Sequence, residues 1–287
     1  MRLKNDELTD QVAQLLEVAR LEDIGAGDHT TLSCIDERHH SVAELIIKDH
    51  GVLCGVSVAE ELFRQYDSSV QLDTFIEDGA KVKHGDVGFV IAGSTRSILS
   101  LERTVLNIMQ RMSGVSTITR QYASAIQHTK AKVLDTRKTT PGLRWFEKQA
   151  VKAGGGANHR FGLYDMILIK DNHIDAAGSI SEAVNRGTAY RMSNGLDILL
   201  EVEVRTRDEL KEALNCKGVN RIMLDNFTVE ETKEAVEAVN GKVDLESSGG
   251  ITIESIVGYA EAGVDFISVG ALTHSVKSLD MSLKIRS

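Results

Sequence analysis

Apolar positions recur at three- and four-residue steps over 6–21, with Leu8, Val12, Leu15, Leu16 and Ala19 on one side and Asn5 and Asp6 ahead as caps. That spacing predicts a helix. Between 42 and 100 the pattern shortens. Residues 42–47, 51–55, 70–72, 81–82 and 87–91 read as strands broken by Gly-bearing turns, and 57–64 reads as a helix among them. The whole stretch predicts an α+β domain. A long helix is expected over 98–127, its stripe formed by Leu101, Val105, Ile108, Met112, Val115, Ile118, Tyr122 and Ile126. From 132 the texture becomes strand–helix–strand. Strands are expected at 132–136, 166–170, 197–204, 220–225, 242–247 and 265–269, and helices at 206–214, 228–239 and 253–262. Regular alternation predicts a parallel sheet covered by helices. Six strands fall short of the usual eight, so an incomplete α/β barrel is expected. The tail, 274–287, has no place in that alternation and is expected to pack elsewhere.

Composition narrows the function. The 287 residues are 42% apolar and 26% charged, ordinary for a folded domain. A net charge of −9 argues against general nucleic-acid binding, which needs a basic surface. No apolar run reaches the ~20 residues of a membrane span. The charged, amphipathic start is unlike a signal peptide, and Cys34, Cys54 and Cys216 are few and without zinc spacing. A cytoplasmic protein with reduced thiols is the expectation.

Against this acidic background, Arg137, Lys138, Arg144, His159, Arg160 and Lys170 crowd into 133–173. Each follows a short apolar run at a Gly- or Pro-marked break, as when strands hand groups to loops at one rim of a sheet. Such a cluster suits a ligand with several negative charges. Further along, Glu201 and Glu203 share a strand face, Asp225-Asn226 end the next strand, and Glu246-Ser247-Ser248-Gly249-Gly250 end the one after. Charges on consecutive strands indicate an active-site rim; a structural ion-pair network is the competing reading. Ser248-Gly249-Gly250 and Gly270-Ala271, on the last two strands, suit a phosphate cradle. Glu203 and Asp225 suit Mg²⁺, which takes a few carboxylates plus substrate oxygens. The histidines show no metal-ligand spacing. Arg103, on the long helix with Asn107 and Gln110, reads locally as a solvated cation. The Gly-rich hairpin at 78–86 reads as fold texture. A Schiff-base aldolase using Lys170 is a further reading, which borohydride trapping would reveal.

The motifs Glu22-Asp23-Ile24-Gly25-Ala26-Gly27-Asp28, Glu102-Arg103-Thr104, Asp135-Thr136-Arg137-Lys138-Thr139-Thr140-Pro141-Gly142, Asn158-His159-Arg160, Ile169-Lys170-Asp171-Asn172-His173, Glu201-Val202-Glu203, Leu224-Asp225-Asn226 and Glu246-Ser247-Ser248-Gly249-Gly250 run in order along nearly the whole chain. Together they resemble the quinolinate phosphoribosyltransferase family. The resemblance implies an N-terminal α/β sandwich over 1–112, an open α/β barrel over 113–273, and a tail, 274–287, that returns to the first domain. It implies a cytoplasmic enzyme of de novo NAD biosynthesis that joins quinolinate to phosphoribosyl pyrophosphate with Mg²⁺, releasing pyrophosphate and CO₂. It also implies a homodimer with shared active sites. By motif, Arg137, His159, Arg160 and Lys170 contact quinolinate, with Arg103 supplied across the dimer, and Thr136 also belongs to the substrate site. Lys138 and Lys170 face the pyrophosphate as catalytic groups. Glu203 and Asp225, also catalytic, take the ribose hydroxyls or the metal. Ser248, Gly249, Gly250, Gly270 and Ala271 hold the 5′-phosphate. A related transferase for another aromatic acid and an inactive barrel that senses phosphorylated ligands are the alternatives; turnover of quinolinate separates both.

Overall fold

In the computed structural model, which describes residues 5–286, the amphipathic start forms helix α1 (Asn5–Ala19). A single π-helical turn, Arg20–Ile24, ends it at Gly25, whose φ of 56° suits glycine. The Asp28 carboxylate accepts from the Thr31 N–H and starts α2 (His29–Cys34). There follow β1 (His40–Ile47), β2 (Gly51–Val52), α3 (Val56–Tyr66), β3 (Gln71–Thr74), β4 (Lys81–Val82), β5 (Val87–Ser94) and α4 (Thr95–Ala125). Next come β6 (Lys132–Leu134), α5 (Arg144–Gly154), β7 (Met166–Ile169), α6 (Asp171–Ala177), α7 (Ile180–Ser193) and β8 (Leu199–Val204). The chain ends with α8 (Arg207–Asn215), β9 (Arg221–Asp225), α9 (Val229–Val239), β10 (Asp244–Ser248), α10 (Ile256–Ala262), β11 (Phe266–Ser268), α11 (Ala271–His274) and β12 (Met281–Ile285). Among the described residues, no helix is long and apolar enough to cross a membrane.

Contacts divide the chain into two units. The first comprises 1–118, 145–155 and 276–287; the second comprises 119–144 and 156–275. The first carries an antiparallel sheet of order β12-β1-β5-β3. Ala43, Leu45 and Ile47 alternate along β1 into its core, where Phe89 and Ile91 of β5 are also fully buried. The tail contributes β12 to this sheet, which places 276–287 with the first unit. In the 78–86 hairpin, the Asp78 carboxylate accepts from the N–H groups of Val56 and Ser57 and so caps α3.

The helix α4 is buried beyond its expected stripe. Ile98, Leu106 and Met109 are buried too, whereas Ile118 is half-buried. Its small polar residues face backbone: Ser113 Oγ accepts from Cys54 N–H and donates to Cys54 C=O, and Thr117 Oγ1 accepts from Val52 N–H. A Cβ on Gly114 would lie 2.4 Å from the Lys277 carbonyl oxygen. Satisfied hydroxyls and a missing side chain let a helix come close to other backbone, a signal that apolar periodicity does not carry.

By contacts, the stretch expected as one barrel over 113–273 is divided between the two units. The first unit runs on to Ile118 and reclaims 145–155. The reason is the apolar face of α5: Trp145, Phe146, Ala150 and Val151 are buried, Ser116 Oγ donates to the Ala150 carbonyl, and buried Glu147 pairs with Arg111 at 2.8 Å.

The second unit holds a parallel six-stranded sheet of order β6-β11-β10-β9-β8-β7. Its strands match the six expected to within two residues at each end. Beside β6, Ala157 bridges to Leu134, with Ala157 N–H donating to Val133 C=O at 2.8 Å. Residues 156–160 are thereby drawn along the edge of the sheet. The open α/β barrel expected from the alternation is this sheet and its helices. The helices α5, α6 and α7 went unread, because α6 and α7 carry few apolar residues at helical spacing and α5 lies among the cations of 137–160.

Candidate active site

A cleft of about 800 Å³ opens where the strands of the second unit end. Thr136, Arg137 and Lys138 enter it after β6, and Lys170 after β7. Glu203 comes from β8, Asp225 ends β9, Ser248 ends β10, and Gly270 and Ala271 follow β11. His159 and Arg160 come from the segment alongside β6, and Gly249 and Gly250 from the β10 loop. Every substrate-site residue that the family resemblance implies for the second unit thus lines one cleft, while Arg144 and Glu201, drawn from the wider charge pattern, do not. Arg103 lies exposed on α4 in the first unit.

Cations gather on one side. Asp135, with no exposure, accepts from the His159 N–H at 2.9 Å and fixes the 157–160 segment against β6. Arg160 is nearly buried and donates to the Met166 carbonyl at 3.3 Å. Burial first, and then the neighbouring Arg137 guanidinium, pull its pKa below the ordinary value. Two guanidiniums held within reach of each other form a site prepared for an anion with more than one charge. Lys170 donates from Nζ to Glu203 Oε2 at 2.6 Å. An aldolase lysine needs a desolvated amine; this half-exposed, ion-paired one does not fit that role. Arg144 points elsewhere, tying Thr139 Oγ1 to the Phe161 carbonyl as a loop brace.

Below the rim lies a second layer of charge. Glu201 and Glu246 have no exposure, and Arg221 donates to Glu246 at 2.9 Å while its guanidinium sits 3.9 Å over the Phe266 ring. His159 Nε2 stands 3.0 Å from Glu201 and 3.5 Å from Glu246. Its Nδ1 accepts from the Arg160 N–H at 2.8 Å, which puts the ring proton on Nε2, facing the carboxylates. Both ring nitrogens are therefore turned to protein partners. Burial raises both glutamates, each to about 7; in Glu246 the Glu201 charge adds to the effect. The two readings of the strand charges thus divide by depth. Glu203 and Asp225 belong to the cleft, whereas Glu201, Arg221 and Glu246 form a buried polar network that touches the cleft only through Glu246.

His159, Glu201 and Glu246 are also, among the described residues, the one group of three or more His, Cys, Asp or Glu side chains with ligand atoms close enough for a metal. Sequence spacing hid it, because its members come from three separate segments. Arg221 already occupies Glu246, and a guanidinium beside the cluster disfavours a cation there.

Glycine has distinct jobs at the rim. Gly249 has φ 92°, and a Cβ there would meet Asn226 Oδ1 at 2.2 Å. Gly250, φ 59°, faces open space. At Gly270 a Cβ would press on the Lys138 stem and the His274 ring, both at 3.1 Å. Asn226, Thr252 and His274 also line the cleft and were missed as site residues. Asn226 carried a signal in following the strand-ending Asp225; His274 carried none.

Two family descriptions cover the chain: "Quinolinate phosphoribosyl transferase, N-terminal domain" matches residues 28–113, and the corresponding C-terminal domain matches 115–284. A "Quinolinate phosphoribosyltransferase [decarboxylating] 2b, mitochondrial" of Nicotiana tabacum is 42% identical over 292 residues, covering 96% of this chain and 83% of its own. A "Probable nicotinate-nucleotide pyrophosphorylase [carboxylating]" of Bacillus subtilis is 43% identical over 275 residues, covering 96% and 93%. The solved nicotinate-nucleotide pyrophosphorylase of Francisella tularensis superposes with a TM-score of 0.90 at 42% identity, covering 97% of each chain.

Proposed function

Since the chain belongs to the quinolinate phosphoribosyltransferase family, we propose that its cleft joins quinolinate to phosphoribosyl pyrophosphate and releases pyrophosphate and CO₂, forming nicotinate mononucleotide for NAD biosynthesis. The observation that carries this reading is the order of groups along the sheet. From β6 they run as Lys138, then Gly270-Ala271 of β11, Ser248-Gly249-Gly250 of β10, Asp225 of β9, Glu203 of β8 and Lys170 of β7. Cations stand at both ends of this row, with the phosphate cradle and the carboxylates between them, so groups suited to the 5′-phosphate, the ribose hydroxyls, the leaving pyrophosphate and an anionic acid share one cleft.

The chemistry asks little covalent work of the protein. Cations orient two anions that repel each other. The bond from C1 to the pyrophosphate oxygen breaks, and its electron pair leaves with pyrophosphate, beside Lys138 and Lys170. Glu203 and Asp225 offset the positive charge developing on the ribose. The pyridine nitrogen lends its lone pair to C1 and becomes quaternary. The adjacent carboxylate then leaves as CO₂, its bonding pair staying on the ring carbon, which takes up a proton. Arg137 and Arg160 hold the two carboxylates.

Mg²⁺ fits the donors present: of the carboxylates lining the cleft Glu246 is taken by Arg221, leaving Glu203 and Asp225, and a hard cation takes such oxygens together with those of phosphates. It would supply charge neutralisation for the leaving pyrophosphate. A homodimer in which Arg103 serves the partner's cleft, and a cytoplasmic location, complete the reading. The test is incubation with quinolinate, phosphoribosyl pyrophosphate and Mg²⁺, following pyrophosphate and CO₂. Binding without turnover would leave only a sensor. Turnover of nicotinate but not quinolinate would reassign the acid.

A further inference from the structure

At the end of β9 the backbone turns in an unusual way. Asn226 has φ 57°, the left-handed region that non-glycine residues seldom occupy. Among the described residues it shares this only with Asn240, which is the ordinary left-handed cap of α9. Asn226 caps no helix; it lies between a strand and Thr228, the N-cap of α9. Its N–H donates to the Ser248 carbonyl at 2.9 Å, prolonging the β9–β10 ladder by one bond.

The turn has a consequence for the side chain. Successive residues of a strand point to opposite faces, so Asp225 and Asn226 would not ordinarily meet. Because Asn226 is left-handed, its carboxamide folds back and Nδ2 donates to Asp225 Oδ2 at 2.8 Å. On the other side of the amide lies Gly249. A Cβ there would stand 2.2 Å from Asn226 Oδ1, 2.6 Å from Cγ and 2.8 Å from the backbone nitrogen. Gly249 is therefore bare where Asn226 needs the room, and its own φ of 92° is one that glycine accepts readily. Two left-handed residues just past the ends of neighbouring strands stand against each other, and strain of this kind persists only where the surroundings hold it.

We propose that Asn226, seated against Gly249, is a positioning residue that fixes the Asp225 carboxylate, keeping Oδ2 engaged and leaving Oδ1 to the ribose of phosphoribosyl pyrophosphate. This rests on the transferase reading above. It changes the sense of the Ser248-Gly249-Gly250 motif: Gly249 serves the carboxylate of the neighbouring strand, and Gly250 remains the residue open to a phosphate.

The test uses Asn226→Gly, which keeps the left-handed backbone and removes the amide, and Asn226→Asp, which keeps the shape but faces Asp225 with a like charge. Turnover by the wild-type enzyme is measured first; its absence would sink the transferase reading itself. With turnover present, Asn226→Gly lowers kcat/KM for phosphoribosyl pyrophosphate by about ten- to a hundredfold, as loss of a supporting hydrogen bond commonly does. Its KM for quinolinate changes less than about twofold and its melting temperature stays near wild type. Asn226→Asp loses at least as much. Wild-type kinetics in Asn226→Gly overturn the inference. So does an equal loss toward both substrates accompanied by a lower melting temperature, which marks a structural role only. If Asn226→Gly fails to fold, the same comparison in Asn226→Asp decides.

Discussion

Arg160 is nearly buried, and the neighbouring Arg137 guanidinium further disfavours its charge. Such a pair is poorly compensated until an anion arrives. Arg137→Ala and Arg160→Ala are each expected to lower kcat/KM for quinolinate by orders of magnitude, since losing one partner of a desolvated charge pair costs about 2–5 kcal/mol. Removing Arg137 also removes repulsion, so the unliganded Arg137→Ala protein melts no lower than wild type. Near-normal kinetics in both variants would take these residues out of the site. Nicotinate, with one carboxylate, serves as a far poorer substrate than quinolinate. At the phosphate end the informative substitution is Gly250→Asn. Asparagine tolerates φ 59°, and its side chain enters open space beside the cleft. It raises the KM for phosphoribosyl pyrophosphate while leaving the quinolinate KM and the melting temperature in place. Unchanged KM values would move the phosphate away from this loop.

Strands β8, β9 and β10 carry charge at two depths, and the deeper one sets a pH dependence of stability. Glu246 is held at about 7, against an ordinary 4.5, because it is buried and faces Glu201. The folded protein therefore keeps a proton that the unfolded chain has already lost. Its contribution is complete below about pH 4.5 and disappears as pH rises through about 7. Glu61 acts in the opposite sense elsewhere. The Arg64 guanidinium pulls it to about 2, so its contribution is lost only as pH falls well below 4.5. The two windows do not overlap. Urea unfolding between pH 5 and 8 should show stability falling with pH in the wild type and a flatter course in Glu246→Gln. A wild-type slope in that variant would remove Glu246 as its source.

For the whole molecule, the proposed homodimer turns on whether Arg103 serves a cleft across the twofold axis. Arg103→Ala and Lys170→Ala are each expected to be nearly inactive alone. If the active site is shared across a twofold dimer, co-refolding the two restores one intact cleft in each mixed dimer. Random pairing makes about half the dimers mixed, so roughly a quarter of wild-type activity returns. If Arg103 serves its own subunit, neither cleft of a mixed dimer is whole. No recovery, with mixed dimers demonstrated, would rule out sharing.

Much of this protein follows from its sequence alone. Short apolar runs in β/α alternation located all six strands of the parallel sheet, because a strand buried on both faces writes itself as such a run. Most of the cleft was legible for the same reason: where such a run ends, the next polar residue reaches the rim, as Lys170, Asp225 and Ser248 do. Tertiary structure decided the rest. Only packing returned α5 to the first unit, since a helix is assigned by what covers its apolar face and local periodicity is silent on that. Only proximity divided Glu201 from Glu203, one joining a buried network and the other the cleft, though both share a strand and a face. The left-handed turn at Asn226 left no trace in the apolar pattern. It depends on Gly249, 23 positions away, and residues that far apart in the chain meet only once the sheet has formed.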